Sequence, residues 1–269
     1  MERLFKALSA FIAFFAPISM SLPKDGLVEI IETRPQFSIV EAANFFQDSS
    51  PVRNLLSPVV KIDLTISLDD SNDAIIFASG TGFGIHYDSK NKKSYIITNS
   101  HICKLSDEVP FPVKFYFENS NTIMGSDSKP PFSGELSFLD NDEEKDLCLM
   151  VTDSYIRPAK IAKKDYIINQ MEEVKIIGAP NGVFPIILDS YVSNLLSRNM
   201  LGRPDDRPML LLSELVFGGQ SGSPVYNKKG EVIGVVSMNL NNEMGPIYGT
   251  AAIPIQDLRE FLITQNIPK

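Results

Sequence analysis

The segment Gly218-Gly219-Gln220-Ser221-Gly222-Ser223-Pro224 sets a serine between glycines, just ahead of the strand-like Val225 to Asn227. Glycines let a backbone turn tightly and come close to a bound chain. Successive N–H groups of such a turn can aim at one point, as a developing oxyanion requires. Alone, the segment reads equally well as an ordinary Gly/Ser turn, so it needs partners. A serine hydroxyl is a poor nucleophile at neutral pH. It needs a base within hydrogen-bond reach, and the base needs an acid to orient it. The chain has two histidines, His86 and His101. His86 precedes a polar turn and reads as a surface residue. His101 follows the strand-like Ser94 to Thr98 after Asn99 and Ser100, and reads as the close of that strand. Asp146 stands at the head of the apolar run Leu147 to Val151, behind acids that read as a solvated loop. His101, Asp146 and Ser221 then supply base, orienting acid and nucleophile. The N–H groups of Gly219 and Ser221 are the expected oxyanion donors. Ser223 is a rival nucleophile by proximity, but its flanks fit the turn less well.

These residues need a rigid frame. From Pro58 onward the chain reads as short strands between polar or Gly/Pro turns. The expected strands are 59–66, 75–78, 82–87, 94–98, 113–118, 134–139, 147–151, 174–178, 186–193, 209–212, 225–227, 232–238 and 248–253. Such spacing argues for an all-β barrel or sandwich, and no alternating βα pattern supports a Rossmann or TIM architecture. Ile255 to Thr264 alone in this region has a helical look, with Leu258, Phe261 and Leu262 on one face. A short helix over 39–46 is expected in the preceding segment.

Bulk properties narrow the field. The chain has 269 residues and a formal net charge of −8, which repels phosphate backbones, so a nucleic-acid partner is not expected. Residues 1–21 carry Arg3 and Lys6, then an uncharged, mostly apolar run ending in Ser19-Met20-Ser21. That is the layout of a secretory signal peptide. An uncleaved N-terminal anchor, giving membrane association through residues 1–21, is the next reading, and a buried helix the third. Residues 22–56 read as an N-terminal extension that inhibits or helps assembly, so a homo-oligomer stays open. Residues 57–269 read as the functional domain. Two cysteines, Cys103 and Cys148, are too few to frame a chain of this length or to make a zinc site unaided. No metal and no cofactor is expected.

Taken in order, several blocks carry a family resemblance: Ser79-Gly80-Thr81-Gly82-Phe83, Ile97-Thr98-Asn99-Ser100-His101, Asp146-Leu147-Cys148-Leu149, Gly178-Ala179-Pro180-Asn181-Gly182, Gly219-Gln220-Ser221-Gly222-Ser223-Pro224, Gly234-Val235-Val236-Ser237 and Ala252-Ile253-Pro254-Ile255. From about Pro58 to Leu262 the chain resembles the trypsin-like, chymotrypsin-fold serine proteases, most of all their HtrA-like branch. The resemblance implies two six-stranded antiparallel β-barrels, with the triad in the cleft between them and a C-terminal helix on the barrels. It implies hydrolysis of peptide bonds in protein or peptide substrates through an acyl-enzyme. Ser237 would support the triad aspartate and pair its backbone with an extended substrate. Leu215, six residues before the nucleophile, would lie at the base of the pocket for the side chain preceding the cut. Asn239 would line its wall. With no charge at Leu215, small or medium apolar side chains are expected there.

Departures from the family also count. The chain ends too soon for the PDZ domain the family often carries. Gln220 stands where trypsin has the aspartate that binds a newly cut N-terminus, so activation by that ion pair is not expected. Cys103 and Cys148 each follow a triad member by two residues. A disulfide between them is conceivable, though two buried thiols are the preferred expectation. The competing functions are a non-catalytic, protease-like binding module and a serine esterase. The binding module usually betrays itself by a lost triad residue, and none is lost here. The esterase class wants glycine in place of Ser223 and its histidine last.

Overall fold

Along the first strand, β1 (Val59–Ser67), side chains alternate between two destinations, as a pleated strand requires. Val60, Ile62 and Leu64 enter one apolar cluster, whereas Val59 joins a second. The polar residues between them are buried too. Lys61 Nζ lies 2.9 Å from Asp63 Oδ2 and 3.3 Å from Glu118 Oε1, so these charges leave water as a group. A computed structural model describes residues 50–67, 74–119, 133–197, 207–242 and 245–267. All of them fall in one compact unit, Ser50–Lys269. The expected signal segment and the expected helix at 39–46 lie outside the described residues. No described helix is long and apolar enough to cross a membrane.

After β1 come β2 (Ala74–Asp88), β3 (Lys93–Thr98), β4 (Val113–Asn119), β5 (Gly134–Asp142) and β6 (Leu147–Thr152). These six close into a barrel in the order β1-β2-β3-β6-β5-β4. The next six are β7 (Glu173–Gly178), β8 (Ile186–Ser197), β9 (Pro208–Leu212), β10 (Pro224–Asn227), β11 (Val232–Asn242) and β12 (Gly245–Pro254). They close a second barrel, β10-β11-β12-β9-β8-β7, and every pairing in both barrels is antiparallel. Barrels this small have interiors filled by side chains. Val60, Ile62, Ile96, Phe117 and Met150 fill the first, and Ile176, Val192, Leu210, Ile233 and Val236 the second. A third cluster joins Phe83, Ile97 and Leu147 of the first barrel to Ile177, Tyr226 and Val235 of the second. The barrels therefore share a continuous apolar contact, and the ends of β3, β6 and β10 are fixed relative to one another.

Among the described residues three α-helices accompany the barrels, α1 (Ser50–Leu56), α2 (Ser100–Glu108) and α3 (Ile255–Thr264), with one 3-10 turn at Pro180–Gly182. Helix α3 has the expected bounds and presses Leu258, Phe261 and Leu262 into the inter-barrel cluster. The other expectations shift at several points. Segments 75–78 and 82–87 form one strand, β2, bent by a bulge between Leu64 and Thr65 of its partner and another between Gly84 and His86. Helix α1 falls in the expected extension, yet its Leu55 and Leu56 pack against the inter-barrel cluster. His86 is half-buried on β2, with its ring 5.8 Å from that of Tyr95. Cys103 and Cys148 are not thiols but a disulfide, with Cα atoms 6.5 Å apart. The physical reason is the local packing: both side chains point into the same cluster, where α2 lies over β6.

Candidate active site

His101 does not sit at the end of a strand. It occupies the first turn of α2, which begins two residues beyond β3. That turn is shaped by burial on one side only, with Ile102 and Cys103 in the core and His101 exposed. Asn99 takes the N-cap position but gives no side-chain cap to the helix. Its Nδ2 donates instead to the carbonyl oxygen of Asp146 at 3.0 Å. Asp146 adopts φ 57°, in the left-handed region, immediately before β6. An aspartate tolerates that region better than most residues. The conformation turns the carboxylate back toward α2.

The carboxylate of Asp146 is only 4% exposed at the residue level and fully engaged. His101 Nδ1 lies 2.9 Å from Oδ1 and 3.1 Å from Oδ2, and the His101 backbone N–H donates to Oδ1 at 3.1 Å. Ser237 Oγ donates to Oδ2 at 2.6 Å. Burial alone works to raise the carboxyl's pKa, but the bonds and charge of His101 and the bond from Ser237 hold it below the ordinary aspartate value. An ionised carboxylate only accepts hydrogen bonds. The Nδ1 of His101 therefore carries hydrogen, and Nε2 keeps its lone pair for a proton.

Ser221 occupies the turn ahead of β10. Its hydroxyl donates to the Ser237 carbonyl at 3.4 Å, and among the described residues it has no hydrogen bond to His101. Bonds between a nucleophile and its base are often long without a substrate and tighten when one is bound. Ser237 is thus the residue common to both halves, with its hydroxyl on Asp146 and its carbonyl on Ser221.

The turn itself is built by backbone. Gly219 has φ 93°, and a Cβ there would fall 2.3 Å from the Ala179 oxygen. Gly222 has φ 87°, and a Cβ there would fall 2.0 Å from the Thr81 oxygen. No other residue fits either position without displacement. The carbonyls of Gly218, Gln220 and Ser221 accept from the N–H groups of Asn181 (2.6 Å), Ser223 (3.0 Å) and Thr81 (2.8 Å). Gln220 is buried, and its Oε1 accepts the Phe217 N–H at 2.8 Å. Against that background, the N–H groups of Gly219 and Ser221 make no hydrogen bond among the described residues.

The neighbouring wall is closed by an amide. Asn239 Nδ2 donates to the Val216 oxygen at 2.6 Å, and its Oδ1 accepts from the Val216 N–H at 3.3 Å and the Thr250 hydroxyl at 3.0 Å. Leu215 is 37% exposed, whereas Val216 beside it is buried. Among the described residues no three His, Cys, Asp or Glu side chains gather to hold a metal ion. Sequence reasoning brought together His101, Asp146, Ser221, Gly219 and Ser237. It missed the parts played by Thr81, Asn99 and Asn181, which act through bonds between residues far apart in the chain.

Two closed six-stranded antiparallel barrels with these groups at their junction define the chymotrypsin-like fold. The sequence matches the trypsin-like peptidase domain over residues 80–235, more than half of its length, and the chain belongs to that family. Among similar curated proteins is the probable periplasmic serine endoprotease DegP-like of Hahella chejuensis, 25% identical over 66% of this chain and 33% of that protein. The serine protease HtrA-like of Staphylococcus epidermidis is 25% identical over 80% of this chain and 37% of that protein. The chain spans about a third of the length of these relatives. The crystal structure of the serine endoprotease from Yersinia pestis shares the fold, with a TM-score of 0.58 and 19% identity across 87% of this chain and 68% of that one.

Proposed function

We propose that this chain is a serine endopeptidase that cuts proteins or peptides through an acyl-enzyme. The observation that carries this reading is the buried Asp146 carboxylate, bonded to His101 Nδ1 on one side and to Ser237 on the other, with Ser237 also receiving the Ser221 hydroxyl. Ser221 Oγ attacks the peptide carbonyl carbon while His101 Nε2 takes its proton. The oxygen, now negative, is received by the N–H groups of Gly219 and Ser221. The C–N bond breaks as His101 returns the proton to the departing amine. A water molecule then attacks the ester, giving its proton to His101, and Ser221 leaves with that proton.

The substrate's backbone would pair beside Ser237. The Asn239 amide, already bonded to both backbone groups of Val216, leaves this wall little hydrogen-bonding capacity and little depth. Small or medium apolar side chains before the cut fit that wall best. The protein works as an exported enzyme, with residues 1–21 as a cleaved signal or a retained anchor and residues 57–269 as the peptidase domain. A disulfide in the described domain agrees with an oxidising compartment.

A fluorophosphonate probe and an unfolded protein substrate test the reading. Wild type labels at Ser221 and degrades the substrate. Equal proteolysis by wild type and Ser221→Ala rejects the mechanism. The unmade Ser221–His101 bond favours one rival, a protease-like binding module, and a wild-type protein that binds unfolded substrate without labelling or cleavage would establish it instead.

A further inference from the structure

Thr81 lies on β2 in the first barrel, fully buried, yet most of its polar atoms serve the Ser221 turn of the second. Its hydroxyl donates to the Gly219 oxygen at 2.7 Å and accepts from the Ala179 N–H at 3.0 Å. Its backbone N–H donates to the Ser221 oxygen at 2.8 Å. Its own carbonyl accepts the Thr98 hydroxyl at 2.7 Å. Thr98 ends β3, just before the helix that carries His101.

A peptide group is planar, so fixing its oxygen or its hydrogen fixes the plane. The 218–219 plane is held by Asn181, and the 220–221 plane by Ser223. The 221–222 plane is held by the Thr81 N–H at its oxygen and by Val236 at its hydrogen. The 219–220 plane is held by Phe217, which accepts the Gln220 N–H at 3.1 Å, and by the Thr81 hydroxyl at the other edge. Residues 219, 220 and 221 join these four planes; of the three only Gly219 is a glycine, and it stands at φ 93°. Among the described residues, the Thr81 hydroxyl is the one side-chain group that grips it.

We propose that Thr81 is a positioning residue for the oxyanion site: its hydroxyl, reaching across from the first barrel, fixes the Gly219 carbonyl and so keeps the Gly219 and Ser221 N–H groups aimed together. This rests on the peptidase reading above. Thr81 touches no substrate. Its effect falls on the transition state, where the oxygen becomes charged, and spares ground-state binding.

The variants are Thr81→Val, which keeps the shape and loses the hydroxyl, and Thr81→Ser, which keeps the hydroxyl. Steady-state hydrolysis of a peptide substrate is measured with inhibition by a peptide aldehyde, whose hemiacetal oxygen occupies the oxyanion site. Removing an oxyanion donor outright costs about 100-fold or more in kcat, so misaiming one in Thr81→Val should cost roughly 10- to 100-fold, with KM changed by less than about threefold. Aldehyde affinity should fall in step with kcat/KM, a link that a merely structural role would not produce. Thr81→Ser should recover most of the loss. If Thr81→Val does not fold, Thr81→Cys, a near match in size to serine with a weak donor, should show the same loss of kcat. A folded Thr81→Val or Thr81→Cys with wild-type kcat and aldehyde affinity overturns the proposal. So does a Thr81→Ser variant as impaired as Thr81→Val. Ser221→Ala is run alongside: hydrolysis that disappears in it upholds the peptidase reading whatever Thr81 does, and wild-type protein with no Ser221-dependent hydrolysis overturns both.

Discussion

The two halves of the candidate site are held in different ways. The His101–Asp146 corner is secured by side chains: Asn99 on the Asp146 carbonyl, Ser237 on its carboxylate, and a disulfide from α2 to β6. The Ser221 turn is secured almost wholly by backbone bonds and by glycines in the left-handed region. The difference follows from the task. A base must hold one tautomer, and a buried carboxylate with directional bonds provides that. An oxyanion site must keep N–H groups unpaired, which is tolerable only if the surrounding peptide planes are all tied elsewhere. The side-chain corner should therefore be sensitive to removal of single groups, and the backbone turn to added bulk or lost pins.

The strongest challenge to this contrast is His101→Ala or Ser221→Ala, each expected to lower kcat by on the order of a millionfold in a turnover assay. Residual activity well above that level would mean another base or nucleophile. Asp146→Asn should cost about 10⁴-fold in kcat by favouring the wrong imidazole tautomer. A loss of only a few-fold would show that Asn99 and the disulfide orient His101 unaided. The double variant Cys103→Ala/Cys148→Ala opens a link across 45 residues and should cost about 4 kcal/mol in a denaturant titration. The Ser221 turn, tied separately, should still label with the fluorophosphonate in folded protein.

Acid offers a subtler probe of the same corner. The carboxyl of Asp146 is held below its unfolded value, so its contribution to stability is present above that value, near pH 4, and is lost as pH falls through the folded value. The Tm difference between wild type and Asp146→Asn should narrow as pH drops from about 5 to about 3. A difference that widens would contradict the assigned direction. The smallest effect belongs to the turn. Ser223 Oγ is buried and makes no hydrogen bond among the described residues, so Ser223→Ala should change stability by less than about 1 kcal/mol or raise it. A marked fall in Tm would reveal a partner for that hydroxyl.

The β-rich frame was legible because its strands are short, apolar and bounded by turn residues. Thirteen expected segments correspond to the twelve observed strands, the extra one arising where Ser79-Gly80-Thr81 broke the apolar run of β2. The helix bearing His101 was not legible. It is nine residues long, has no capping side chain, and is fixed by packing of Ile102 and Cys103 on β6 and by the disulfide. The triad candidates were legible from the types and order of the residues, since the chain offers only two histidines. Thr81 and Asn181 lie in two of the blocks that carry the family resemblance, but their parts could not be read there, because each is a backbone or hydroxyl contact with a turn well over thirty positions away.

The link between Cys103 and Cys148 lies behind packed side chains, with the two residues 4% and 0% exposed. Small reductants and exchange partners reach such sulfurs only when the chain opens around them. The bond must then be made while the first barrel is still ajar, and closing the barrel seals it. In the closed barrel the sulfurs are out of reach of exchange partners, so the bond lasts as long as the fold around it stays shut. The spacing of His101 and Asp146 is thus insulated from the redox state of the surroundings while the domain stays folded.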